Sequence, residues 1–221
     1  MGLPPGQRPL DHFPRFGVPA FAHRWPTIPE RPVLVLSGGE LDEEVLALDD
    51  LAALPRREII ADFHCVTTWT RQEVRWSGFA FRDFYQRFLR PRAQTDPRIA
   101  FVELTALDGY RSTLPLEDVL RDNVLLADRV DDAPLPLEHG APLRLVAPDH
   151  YGYKSVKHLK RIRVGRSFSV PGVERLTRAH PRGRVALEER GRLLGGRFYR
   201  FIYRALMYPT LWYYRRARRP D

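Results

Sequence analysis

Only one cysteine, Cys65, occurs in 221 residues, so the chain has no internal disulfide and cannot supply the several thiolates of a zinc or iron–sulfur centre. That thiol has two roles open to it, a small buried hydrophobe or a lone reactive sulfur. Long apolar runs are missing too: arginines interrupt every candidate before it reaches the roughly 18 residues a membrane-spanning helix needs. The opening MGLPPGQ has neither a basic stretch followed by an apolar one nor a twin arginine, which predicts a cytoplasmic protein. No internal repeat, Walker-type loop or recognisable haem site is evident. What remains is the composition of a folded protein, 43% hydrophobic and 29% charged, at a length suited to one domain or one domain with an appendage.

The net charge of +9 points at first to nucleic acid, but it is unevenly placed. From Lys160 onward there are 17 basic and 4 acidic residues, whereas residues 1–159 hold 19 basic and 23 acidic ones. The basicity belongs to the tail, and the body is mildly acidic.

Three regions follow. Residues 1–32 contain eight prolines, each removing a backbone donor and disfavouring helix before it, which predicts an extended arm. Residues 33–164 read as the body, and 165–221 as a basic, aromatic tail. In the body, Val33–Leu36 is a strand entering a turn at Ser37-Gly38-Gly39-Glu40. Asp49 or Asp50 is placed to cap a short helix that stops at Pro55, and Glu58–Val66 reads as a buried strand leading to Cys65. Phe81, Phe84, Tyr85 and Phe88 recur at helical spacing, a stripe that reads as core, with Pro91 ending the helix. Asp108-Gly109 between two apolar runs predicts a hairpin. A short helix over Glu117–Leu120 and strands over Val124–Ala127, Leu143–Ala147 and around Ile162 and Val164 complete the body. Without regular βαβ alternation the fold class is α+β, mixed β-sheets with short helices.

Two clusters carry chemistry. Around Cys65, the run Asp62-Phe63-His64-Cys65-Val66-Thr67-Thr68-Trp69 adds an imidazole, two hydroxyls and an indole to the thiol. A thiol–histidine nucleophile is one reading, weakened because neighbours on a strand point to opposite faces. Downstream, His139-Gly140-Ala141-Pro142-Leu143-Arg144 and His150-Tyr151-Gly152-Tyr153-Lys154-Ser155-Val156-Lys157 combine glycines, a serine and cations. Arg144 as a planar fork and Lys157 as a point charge suit an anion, and solvated cations in a tight turn are the plainer alternative.

Taken in order, His64-Cys65-Val66-Thr67-Thr68-Trp69, Asp108-Gly109-Tyr110, Leu114-Pro115-Leu116-Glu117-Asp118, Glu138 to Arg144 and Tyr151 to Lys157 resemble the molybdopterin-binding domain of the sulfite oxidase superfamily, over roughly residues 8–165. The nearest likeness is to its short stand-alone members, related to the catalytic subunit of the bacterial methionine sulfoxide reductase. The resemblance implies that fold, and a molybdenum held by one molybdopterin with Cys65 as a further sulfur ligand. It implies Arg144 and Lys157 at the cofactor's phosphate, Ser155 and Val156 through backbone or hydroxyl groups, and His139 and His12 on the pterin. It also implies two-electron oxygen-atom transfer to or from sulfur or nitrogen on a small-molecule substrate, with Trp69, Asp108, Tyr110 or Tyr151 beside the metal. Val66-Thr67-Thr68-Trp69 departs from the glycine, asparagine and arginines that follow the ligating cysteine in sulfite oxidases.

In the tail, Arg197, Arg200 and Arg204 fall on one helical face and Phe198, Phe201, Ile202 and Ala205 on another, with Pro209 expected to end the helix. Such a segment docks on an electron-transfer partner, lies on a membrane surface or folds back on the body; nucleic acid is the weakest of its readings. A binding module without catalysis, using this tail on lipid or nucleic acid, is the alternative to an enzyme.

Overall fold

The structure, a computed structural model, describes residues 2–38, 41–91, 97–167 and 170–217. The expected turn at Gly39-Glu40 lies outside these. Two mixed β-sheets form the frame. The five-stranded sheet has the order β3-β2-β11-β6-β7, from β2 (Val33–Gly38), β3 (Leu41–Ala47), β6 (Phe101–Ala106), β7 (Arg111–Pro115) and β11 (Leu159–Gly165). The other sheet runs from β1 (Arg8–Pro9) through β5 (Trp69–Ala80) and β8 (Leu125–Val130) to β10 (Arg144–Val146). In it β4 (Arg56–His64) pairs with β5, and β9 (Ala133–Pro134) with β8.

The alternation of β11 explains its place. Leu159, Ile162 and Val164 point into the core while Lys160 and Arg163 face out, so the strand that the sequence suggests as a closing element is a central one. It runs parallel to β2 and antiparallel to β6. The expected hairpin forms: β6 and β7 pair antiparallel around Asp108-Gly109, with Gly109 at φ +86°. β4 is an edge strand with Ile60 65% exposed, not the buried strand expected, because β5 is its only strand neighbour among the described residues.

The aromatic stripe takes its expected part. α1 (Phe81–Phe84) continues as a wider π-type turn to Leu89, burying Phe81, Phe84 and Phe88 against Leu34, Val102 and Ile162 of one sheet and Leu126 and Leu145 of the other. Leu125 and Ala127, one residue out of phase with Leu126, pack instead with Val74 and Trp76 in a second core. Residues Leu48–Ala53 form a 3₁₀ turn begun at Ala47 with no side-chain cap, so the expected Asp49 or Asp50 cap is absent.

Arm and tail both join the body. β1 pairs in parallel with β5, Arg8 opposite Trp69. From the tail, the half-buried Arg182 donates to the buried Asp118 of α2 (Leu116–Val119) at 2.7 Å, and Lys154 pairs at 2.8 Å with Glu174 of α3 (Gly172–Leu176), both of these side chains buried. The tail helix α4 (Gly196–Arg216) runs through Pro209 instead of stopping there. Met207, Leu211 and Tyr214 are buried against the body and hold both sides of the proline in one helix.

Candidate functional site

Cys65 sits in the tight connection between β4 and β5. Its N–H donates to Trp69 O at 2.8 Å and its carbonyl accepts from Thr68 N–H at 3.2 Å. Thr68 takes φ +74°, a conformation that costs a β-branched residue on the order of 1–3 kcal/mol and recurs where function over-determines the backbone. The arm pins this turn: Gln7 Nε2 donates to Cys65 O at 3.0 Å, and its Oε1 accepts from Thr70 Oγ1. His64 Nδ1 lies 2.8 Å from Thr70 Oγ1, so the imidazole is engaged there and forms no pair with the thiol. Cys65 Sγ instead lies 3.1 Å from Thr67 Oγ1, and burial pushes the thiol up. A thiol in that state is a poor free nucleophile.

Cys65 forms part of the wall of a cavity of about 430 Å³. Its walls come from all three regions of the chain: Phe13 to Phe21 of the arm, the Cys65 turn and residues 152–158 of the body, and α3 and α4 of the tail. Around Cys65 the rings and aliphatic chains of Phe16, Phe63, Trp69, Met207 and Leu211 pack together, while the charges of Arg190, bonded to Val66 O at 2.6 Å, and of Lys157 also reach the thiol. Elsewhere the wall is charged: Arg15, Arg24 and Lys157 gather about Asp108, and Glu138 and Glu174 also line it. Lys157 Nζ donates to Glu138 O at 2.8 Å; burial, then the Arg144 and Arg15 charges, lowers it to about 7. Gly140, at φ +118°, leaves room for the side chains of Arg144 and Lys157, and Gly152 for the ring of Phe63, which a Cβ would meet at 2.4 Å.

Of the residues singled out in the sequence, Cys65, Ser155, Val156 and Lys157 line the cavity together, as do Trp69, Asp108 and Tyr110. Ser155 Oγ accepts from Ala147 N–H at 3.1 Å, and Val156 has both backbone groups bonded, to Lys154 O and Leu145 N. Arg144 does not line it. Fully buried, its guanidinium donates to His139 O at 2.7 Å and Ser155 O at 3.1 Å and lies over the Trp76 ring, so it braces the two loops. His139 stacks on Phe13 with ring centroids 4.4 Å apart, and burial lowers it to about 3, so it is neutral. His12 is exposed; its neighbour Phe13 takes the wall position. Tyr151 packs under Arg190 away from the cavity. Arg15, Arg24, Glu174 and the α4 residues Tyr203, Leu206 and Thr210 are wall residues that the sequence reading missed.

Three buried polar atoms here, Thr68 Oγ1, Trp69 Nε1 and His139 Nδ1, have no partner among the described residues. Each costs about 1–3 kcal/mol unless a ligand or water meets it. A soft sulfur donor, the unpartnered Trp69 indole and the cations Arg15, Arg24 and Lys157 on one cavity wall, with Thr68 and His139 just behind it, fit a metal–dithiolene cofactor with a phosphate tail. No three metal-ligating side chains cluster among the described residues.

Comparison with known proteins agrees. Residues 26–169 match the family described as oxidoreductase molybdopterin binding domain. The oxidoreductase YuiH of Bacillus subtilis is 36% identical over 139 residues, covering 63% of this chain and 67% of its own length. The protein-methionine-sulfoxide reductase catalytic subunit MsrP of Xanthomonas axonopodis is 32% identical over 151 residues. The match covers 62% of this chain but spans only about half of MsrP, 46% of its length. The sulfane dehydrogenase SoxCD of Paracoccus pantotrophus shares the fold, with a TM-score of 0.52 at 21% identity over 62% of this chain and 38% of its own. The chain therefore belongs to the sulfite oxidase family of molybdopterin-binding oxidoreductases, and Mo-molybdopterin is its cofactor.

Proposed function

We propose that this oxidoreductase moves an oxygen atom to or from a small, neutral sulfur or nitrogen centre, such as a sulfoxide or N-oxide, using electrons exchanged with a separate redox partner. The observation behind it is the position of the only thiol: Cys65 sits in the cavity wall among Phe16, Phe63 and Trp69, rings that favour an uncharged substrate over an oxyanion. When bound, the cofactor supplies two-electron oxygen-atom exchange.

The chain's own groups do the rest. Cys65 would ligate molybdenum, Lys157, Arg15 and Arg24 would hold the phosphate, and Trp69 Nε1 and His139 Nδ1 would meet polar edges of the pterin. Arg144 acts indirectly, fixing His139 and Ser155. Reduction of a sulfoxide takes two electrons and two protons and yields a thioether and water. The likeness to a protein named a catalytic subunit supports a separate electron donor.

Protein purified from a molybdenum-replete, pterin-competent host is expected to hold about one molybdenum per chain by elemental mass spectrometry, as one pterin-bound metal requires. With a reduced viologen as donor it reduces a sulfoxide or N-oxide faster than it oxidises sulfite with ferricyanide, and Cys65→Ser abolishes both. Metal-free wild-type protein, or a preference for sulfite, would overturn the reading.

A further inference from the structure

The inner side of α4 is spoken for, and its outer side is not. Met207, Leu211 and Tyr214 are buried, whereas Phe198 is 52%, Phe201 80%, Tyr208 63% and Trp212 55% exposed. At about 100° per residue, positions 198, 201, 202, 205, 209 and 212 fall within an arc of about 100° on that outer side. Arg197, Arg204 and Arg215 follow along one border and form no ion pair among the described residues. Arg200, by contrast, turns inward to Glu188 at 2.7 Å. Between residues 190 and 220 there are nine arginines and no acidic residue.

We infer that α4 lies flat on an anionic lipid bilayer, its Phe198, Phe201, Ile202 and Trp212 face in the acyl boundary and Arg197, Arg204 and Arg215 on headgroup phosphates. An apolar stripe bordered by arginine alone matches a surface that is greasy within and negative at its edge. Tryptophan and tyrosine, here Trp212, Tyr208 and Tyr213, favour the headgroup level. Arg216, the last residue of α4 and on the same arc as Phe198, lies over the Trp212 ring at 3.9 Å. No helix among the described residues is long and apolar enough to cross a membrane, so the contact is peripheral. Because α4 also walls the cavity through Tyr203, Leu206 and Thr210, docking would set the Cys65 site about one helix diameter, roughly 10 Å, from lipid.

Sedimentation of the full-length holoprotein with phosphatidylcholine vesicles, with and without phosphatidylglycerol, tests this. The wild type is expected to sediment with the anionic vesicles only and to be released by salt. Phe201→Asp with Trp212→Asp weakens partitioning roughly tenfold or more while molybdenum content and circular dichroism stay unchanged, since both side chains are exposed. Arg204→Glu with Arg215→Glu weakens it without touching the apolar face. Wild type left in the supernatant, or aspartate variants that bind equally well, would overturn the inference. So would a wild-type dimer that the aspartates dissolve in the absence of any vesicle binding, which would give the face to a second copy of the chain.

Discussion

Burial, then the Arg144 and Arg15 charges, lowers the Lys157 ammonium to about 7 in spite of Asp108 and Glu138 nearby, so its charged form is costly in the folded chain. Its ordinary value is 10.5, so between about 7 and 10.5 the unfolded chain binds the proton that the folded chain has released. Stability therefore rises with pH across that window, and the penalty is complete below 7. Cofactor-free protein should gain resistance to urea from pH 7 to pH 9, and Lys157→Met, already neutral, should lose that part of the gain; identical slopes for the two would show that the fold does not hold Lys157 low. At this scale the sequence singled out Cys65, Ser155 and Lys157 by residue type and company, and the fold brings the three to one cavity wall. Arg144, expected at the cofactor's phosphate, is fully buried and spends donors on the carbonyls of His139 and Ser155, a use of its five N–H groups that the sequence did not signal. Arg15 and Arg24 gave no signal, since nothing local distinguishes a wall arginine from a solvated one.

Elements with strong local signals were read well, the Asp108-Gly109 hairpin and the Phe81–Leu89 helix among them. The parallel pairing of β11 with β2, more than a hundred residues apart, has no local signature. Pro209 misled because a helix-breaking residue was weighed without knowledge of what packs on either side. In α4 its ring removes one N–H donor and crowds the carbonyl four residues back, while Met207 and Leu211 hold the helix together from below. Proline 209 itself is exposed. Pro209→Ala should thus restore a backbone hydrogen bond at no packing cost and stabilise the protein by roughly 1–3 kcal/mol, read from the urea midpoint. An unchanged or lowered midpoint would mean that the helix needs the bend a proline imposes.

At the scale of the whole molecule, charge segregation was legible by counting, but the shared cavity was not, because its walls join residues 13–24, 63–69, 152–158 and 203–214 only in the folded state. The family match ends at residue 169, yet Met207 and Leu211 pack with Cys65 and Trp69, and Tyr214 packs with Ala22 of the arm. Arm and tail thus close the site that the matched region opens. The two faces of α4 should then separate by substitution. Leu211→Asp buries an unpaired carboxylate beside the sulfur, a change that typically costs several kcal/mol, and the cheapest relief is for α4 to lift away. Metal and pterin content should fall together, with the far-ultraviolet circular dichroism of the two sheets retained. Phe201→Asp, on the face turned outward, should leave both contents at the wild-type level. Full cofactor occupancy in Leu211→Asp would show that the matched region closes its own cavity and that the tail helix serves only what lies outside it.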